Sequence, residues 1–215
     1  VTVPGFYDRV RELSPAERTD FGRAPFCEAA FCKSIGVRET AGEKGYSTME
    51  RIGVRPSLDV NGIWGGYTGE GAKTIIPSKA HAKISMRLVP DQDYREIGRL
   101  FAEHFRSIAP RSVRVDVEVL HGGFPYVCPT DLPAYRAAAR AVERTFGRKP
   151  LPYYSGGSIP IISTFEKELG VKSVLLGFGL DRDAIHSPNE SYGLENFLRG
   201  IETIVWFYRE FAAGR

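Results

Sequence analysis

The sequence predicts a chain of two characters, an α+β sandwich of the split βαβ type over residues 1–121 and an α/β segment over residues 122–215. Three observations carry this. In "KAHAKISMRLV", Ala80, Ala82, Ile84, Met86 and Leu88 alternate with His81, Lys83, Ser85 and Arg87, the period of a strand with one buried face. In "SVRVDVEVL", Val113, Val115, Val117 and Val119 alternate with Arg114, Asp116 and Glu118 in the same way. Between them Ile97, Leu100, Phe101, Phe105 and Ile108 fall at helical spacing, and strand, one-sided helix, strand is half of a two-layer sandwich. Later, Val171 to Phe178 is a continuous apolar run, the pattern of a strand covered on both faces.

The elements follow in order. Ser14, Pro15 and Glu17 form a helix start with capping-box spacing, so short helices joined by loops are expected over residues 1–53. "ETAGEKGYS" is a polar loop. "SLDVNGIWGG" predicts a strand ending in glycines, and "GYTGEGAKTIIPS" a Gly/Thr/Ser-rich loop. Pro90 ends the following strand, and Asp91 is expected to cap the next helix. "GGFPYVCPTDLP" is a proline-rich crossing. Tyr135, Ala139, Val142 and Phe146 mark a helix from near Asp131 to Gly147. "LPYYSGGSIPIISTFEKELG" reads as a short strand, a glycine turn and a helix stopped by Gly170. The last helix carries Leu194, Phe197, Leu198, Ile201, Val205 and Tyr208 on one stripe. This second part offers only about two strands, whereas a doubly wound sheet has about five or six. The pattern therefore expects more of that sheet elsewhere, and a chain opening on Val1 instead of Met fits a portion of a longer polypeptide.

Composition excludes some classes. Apolar content of 42%, charged content of 26% and a net charge of +3 are ordinary for a globular protein. The densest basic stretch, Arg106 to Arg114, lacks interleaved aromatics, which argues against a nucleic-acid partner. Cys27, Cys32 and Cys128 make an odd set without C-x-x-C, so neither a disulfide framework nor a zinc knuckle is indicated, and a reducing cytoplasmic setting is expected. No apolar run reaches membrane-spanning length and no signal-peptide pattern opens the chain, so no membrane partner is expected.

The residues able to carry chemistry sit on loops and on one polar strand face. His186, in "DAIHSPNESYG", lies on a loop leaving the predicted 171–178 strand, among Asp181, Asp183, Ser187, Asn189 and Glu190. A surface-loop histidine and a metal-binding or catalytic one fit that sequence equally well. A zinc site takes three or four ligands, and Asp183 and Glu190 serve only if the loop folds back on itself. In "SGGSIP", Gly156 and Gly157 leave backbone N–H groups bare and Ser158 suits a helix N-cap, an anion-binding arrangement or an ordinary capped turn. Arg87, on the polar strand face, is either a solvated arginine or a clamp for a carboxylate. Thr74 offers a loop hydroxyl, and His104 is read as a packed core histidine.

Together, "RPSLDVNGIWGGYTGEGAKTIIPSKAHAKISMRLVPDQD", "SGGSIP" and "HSPNESY", in that order, resemble the M20 family of metallopeptidases, in particular its dipeptidase-like branch of carnosinases and cytosolic nonspecific dipeptidases. The resemblance implies a catalytic α/β domain in which two zinc ions share a bridging water and a glutamate is the general base. It also implies an inserted ferredoxin-like lid that makes a homodimer. By position, His186 matches the last metal ligand and Arg87 the lid arginine that holds the substrate carboxylate. Thr74, Gly157 and Ser158 match substrate-contacting positions, and Asn61 lines the same cleft.

The departures matter as much. The family's His-x-Asp motif, bridging Asp and Glu-Glu pair have no counterpart, since "HAK", "HFR" and "HGG" do not match. The resemblance therefore implies the C-terminal portion of such an enzyme: residues 1–121 a lid lacking its first part, and residues 122–215 the end of the catalytic domain. Two functions follow as expectations. One is a part of a zinc-dependent peptidase or amidohydrolase of dipeptides or N-acyl amino acids, contributing dimerisation, carboxylate binding and one metal ligand. The other is a non-catalytic dimerisation or binding module.

Overall fold

A computed structural model describes residues 1–156 and 159–214. The chain folds as two compact units, Val1–Pro125 with Tyr153–Ser163, and Tyr126–Pro152 with Thr164–Arg215. The fold is mixed α/β.

The first unit opens with three short helices, α1 (Pro15–Gly22), α2 (Glu28–Ser34) and α3 (Thr48–Val54). The capping box expected at α1 is present: Glu17 N–H donates to Ser14 Oγ at 3.3 Å and Ser14 N–H to Glu17 Oε2 at 2.8 Å. The same device starts α3, where Ser47 and Glu50 repeat the spacing. Strands β1 (Ser57–Gly65) and β2 (Ala80–Arg87) pair antiparallel, from Ser57 opposite Arg87 to Gly65 opposite Ala80. A bulge between Val60 and Gly62 leaves Asn61 as the extra residue.

Helix α4 (Tyr94–Ile108) covers one face of this sheet. Its Ile97 and Phe101 join Val3 and Phe6 in a buried cluster, against which Leu58, Ile84, Met86 and Leu88 pack. The alternation in β2 is thus realised at Ile84, Met86 and Leu88, while Ala80 and Ala82 beyond the helix stay exposed. Asp93, and not Asp91, caps α4, its Oδ1 accepting from Arg95 N–H at 2.8 Å. Asp91 instead takes a turn conformation with φ 72°. His104 is half-buried instead of being a core residue, because the packed stripe of α4 centres on Ile97, Phe101 and Ala102.

The expected strand at 113–119 makes no ladder; among the described residues the only sheet is β1–β2. Val117 packs on the core as predicted, but Val113 and Val119 are exposed. Alternation identifies an extended segment and its inner side; it does not supply a neighbouring edge with free N–H and C=O groups.

The second unit is built on α5 (Pro133–Phe146) and α7 (Leu194–Ala213), which pack together, and takes in α6 (Ile161–Leu169) from Thr164 onward, ahead of the extended segment at 171–178. Gly147, with φ 72°, ends α5 in the left-handed conformation a helix stop requires. Ala137, Ala138 and Ala141 of α5 are buried, as are Gly200 and Thr203 of α7, so both helices offer small residues where they meet. The predicted stripe of α7 is therefore not its buried face: Leu194, Leu198 and Tyr208 are exposed in this chain.

Segment 171–178 is not laddered and not covered on both sides. Phe178 is half-buried, stacked on Phe146 at 6.1 Å between ring centroids, whereas Val171 and Leu175 are exposed. Tyr126 pins it instead: its hydroxyl accepts from Ser173 N–H at 2.9 Å and donates to Ser173 C=O at 2.8 Å. The short strand expected near 151–154 likewise forms no ladder. A continuous apolar run marks a segment suited to a sheet interior but does not bring the sheet with it.

Candidate functional site

In the first unit the polar face of β2 presents Ser85 and Arg87, two residues apart and hence on the same side, opposite Ile84 and Met86. The bulge turns Asn61 onto this face, where its Oδ1 accepts from Ser85 Oγ at 3.2 Å. Two of the residues singled out from the sequence, Asn61 and Arg87, thus share one sheet face. Thr74 lies on the exposed loop between the strands. That loop bends at Gly66 and Gly71, with φ 69° and 81°. Gly157 and Ser158 lie outside the described residues.

The same hairpin holds a feature that composition did not reveal. Trp64 and His81 are register partners and their rings stack 5.2 Å apart at 13°. They border an open cleft of about 300 Å³, completed by Ile75, Ile76, Pro77 and Lys79. The strand residues are 17 positions apart in sequence, so only the register across the loop brings them together.

His186 lies in the second unit, on an exposed loop that does fold back on itself. A 3-10 turn at Asp181–Asp183 opens it, and Ser191 N–H donates to Asp183 C=O at 2.9 Å to close it. His186 itself has φ 63°, flanked by Ala184 at 54° and Asn189 at 62°. Asp183 is buried, and its Oδ2 accepts from Leu180 N–H at 2.7 Å within the loop.

A zinc site draws three or four ligands from His, Cys, Asp and Glu. Among the described residues no three such groups come together. The described residues therefore do not by themselves fit a zinc centre, and no reaction step is routed through one. Burial pushes the Cys128 thiol above its ordinary value, which disfavours its thiolate. No helix is long and apolar enough to cross a membrane among the described residues.

The family model for peptidase family M20/M25/M40 matches residues 14–210. The chain belongs to this family. Its relatives place it on the dipeptidase and carnosinase-like branch. It is 31% identical over 217 residues to the Cys-Gly metallodipeptidase dug1 of Schizosaccharomyces pombe, covering 99% of this chain and 45% of that protein. It is 27% identical to the human Beta-Ala-His dipeptidase, covering 99% of this chain and 42% of that protein. Two solved structures agree. The di-peptidase Dug1p of Saccharomyces cerevisiae superposes with a TM-score of 0.87 at 27% identity, over 99% of this chain and 45% of its own. Human carnosine dipeptidase 1 superposes with a TM-score of 0.86 at 27% identity, over 99% and 46%. The chain thus spans less than half the length of the relatives it matches.

Proposed function

We propose that this M20-family chain is a dimerisation and substrate-binding module without a complete hydrolytic centre of its own. The observation that carries this reading is the donor set: the fold matches metallodipeptidases closely, yet the described residues assemble no group of three metal-binding side chains. In this reading residues 1–121 are a ferredoxin-like lid that pairs with a second copy, and residues 122–215 are the end of a catalytic domain. Arg87, with its guanidinium fork, holds the carboxylate of a dipeptide or N-acyl amino acid. Asn61, Thr74, Gly157 and Ser158 contribute further polar contacts to the same ligand.

A second reading is favoured by the exposed, closed loop that presents His186. Within a complete M20 peptidase, His186 is one zinc ligand and this chain is the C-terminal portion of a cytoplasmic zinc-dependent dipeptidase or amidohydrolase. The bound metal would supply Lewis-acid polarisation of the scissile carbonyl, while this chain's residues bind and orient the carboxylate end.

One experiment separates the two. The 215-residue chain is assayed with Cys-Gly, β-Ala-His and an N-acyl amino acid in the presence of zinc, alone and as part of a polypeptide that also carries the His-x-Asp and Glu-Glu motifs. No turnover by the chain, with turnover restored in the longer polypeptide and an Arg87→Ala variant raised mainly in KM, supports the second reading for the longer form. No turnover in either, with saturable carboxylate binding lost in Arg87→Ala, supports the module alone. Turnover by the 215-residue chain itself overturns the first.

A further inference from the structure

We propose that Asp183 is the positioning residue for His186. The proposal rests on the reading of His186 as a functional side chain. Asp183 is 4% exposed in a loop whose other residues are largely open to solvent. It spends three separate groups on holding that loop. Its N–H donates to Leu180 C=O at 2.9 Å, its Oδ2 accepts from Leu180 N–H at 2.7 Å, and its C=O accepts from Ser191 N–H at 2.9 Å. One residue therefore ties the entry of the loop to its exit. A buried carboxylate is costly to desolvate, and a charge-assisted bond to a backbone N–H recovers part of that cost.

The tie has something to hold. Ala184, His186 and Asn189 all adopt left-handed backbone conformations, at φ 54°, 63° and 62°. For residues with a Cβ such a conformation is strained, least so for asparagine, and it persists only where the surroundings over-determine it. Two successive turns, Ser187 N–H to Ala184 C=O at 2.9 Å and Glu190 N–H to Ser187 C=O at 3.2 Å, carry the chain past His186. Neither turn reaches outside the loop, so the anchoring falls to Asp183. Gly179 makes room beneath: a Cβ there would meet Ile185 Cδ1 at 3.2 Å and Asp183 Oδ2 at 3.8 Å. The result is an exposed imidazole on a backbone fixed before any ligand arrives, the pre-organisation a metal or substrate contact needs.

The test uses the isotopically labelled 215-residue chain with Asp183→Ala and Asp183→Asn, read by amide hydrogen exchange and by the His186 ring resonances. In Asp183→Ala, exchange at the Leu180 and Ser191 amides rises roughly tenfold or more. The His186 resonances move to those of a flexible histidine, and amides of α5 and α7 are unchanged. Asp183→Asn, which still accepts from Leu180 N–H, keeps most of the His186 signature. Unmoved His186 resonances in Asp183→Ala, or loosening spread equally over α5 and α7, overturns the proposal. If Asp183→Ala does not fold, Ser191→Pro removes the closing donor with the carboxylate intact, and it must shift His186 in the same way or the proposal fails. In a longer M20 polypeptide with activity, Asp183→Ala lowers kcat with KM held. Exchange that responds while turnover does not would leave the positioning standing and defeat the functional reading of His186.

Discussion

The Arg55 guanidinium grips the Glu43 carboxylate with two parallel bonds, Nε to Oε2 at 2.9 Å and Nη2 to Oε1 at 2.6 Å. It does so beneath the Tyr46 ring, 4.4 Å from its centroid, and reaches Glu12 at 3.3 Å with its remaining nitrogen. Arg55 follows α3 while Glu12 and Glu43 come from the loops before it, so this one side chain gathers the irregular first 55 residues. Arg55→Ala should lower the unfolding free energy by about 2 kcal/mol, below the range for a fully buried pair because Glu43 keeps contact with solvent. Arg55→Lys should recover less than half of it, since an ammonium cannot reproduce the fork or the stacking. Urea unfolding of the three proteins checks this, and equal stability of the Lys variant and the parent would contradict it.

Acid should act on α1 through Glu17. Its carboxyl is lowered to about 2, first by the hydrogen bond from Arg11 and then by the Ser14 amide. A carboxylate whose folded pKa is depressed adds stability above its unfolded value, and that stability is lost as pH falls through the folded value. The window runs from about 4.5 down to about 2. The pair is partly solvated, so the loss should stay under about 1 kcal/mol. Unfolding midpoints measured across that window should fall more steeply for the parent than for Glu17→Gln; parallel curves would show that the bond adds nothing.

The buried small residues of α5 and α7 should be intolerant of added volume. A Cβ at Gly200 would lie 3.0 Å from Phe178 Cδ2, and Ala141 is 0% exposed. Gly200→Ala and Ala141→Leu should each cost about 1–3 kcal/mol by overpacking. Leu198→Ala, on the open side of α7 at 63% exposure, should change stability by under about 0.5 kcal/mol. Thermal unfolding decides; a large loss at Leu198 would mean that its face is covered in solution.

These contrasts show where the sequence was readable. Local signals held: Ser14 with Glu17, the β2 face at Ile84 and Met86, and the stop at Gly147 all depend on residues within a few positions of each other. The readings that failed needed a partner. Val113–Val119 and Val171–Phe178 have strand patterns, but pairing is a property of two segments. The apolar stripe of α7 was legible, yet a helix apolar on more than one side does not announce which side its neighbour takes; Gly200 and Thr203 took it. At the candidate site, the shared face of Asn61 and Arg87 followed from alternation plus a bulge that no local rule predicted. Asp183 is legible in the sequence only as a conditional metal ligand, because its bonds to Leu180 and Ser191 are not something a carboxylate in a loop advertises.

The most direct measurement of the central claim is the zinc content of the untagged 215-residue chain after dialysis, by elemental analysis. A single presented histidine without companions holds zinc weakly, because affinity comes from several pre-oriented ligands acting together. The account predicts well under one equivalent retained. One or two equivalents would contradict it, and would mean that this chain assembles a metal centre of its own.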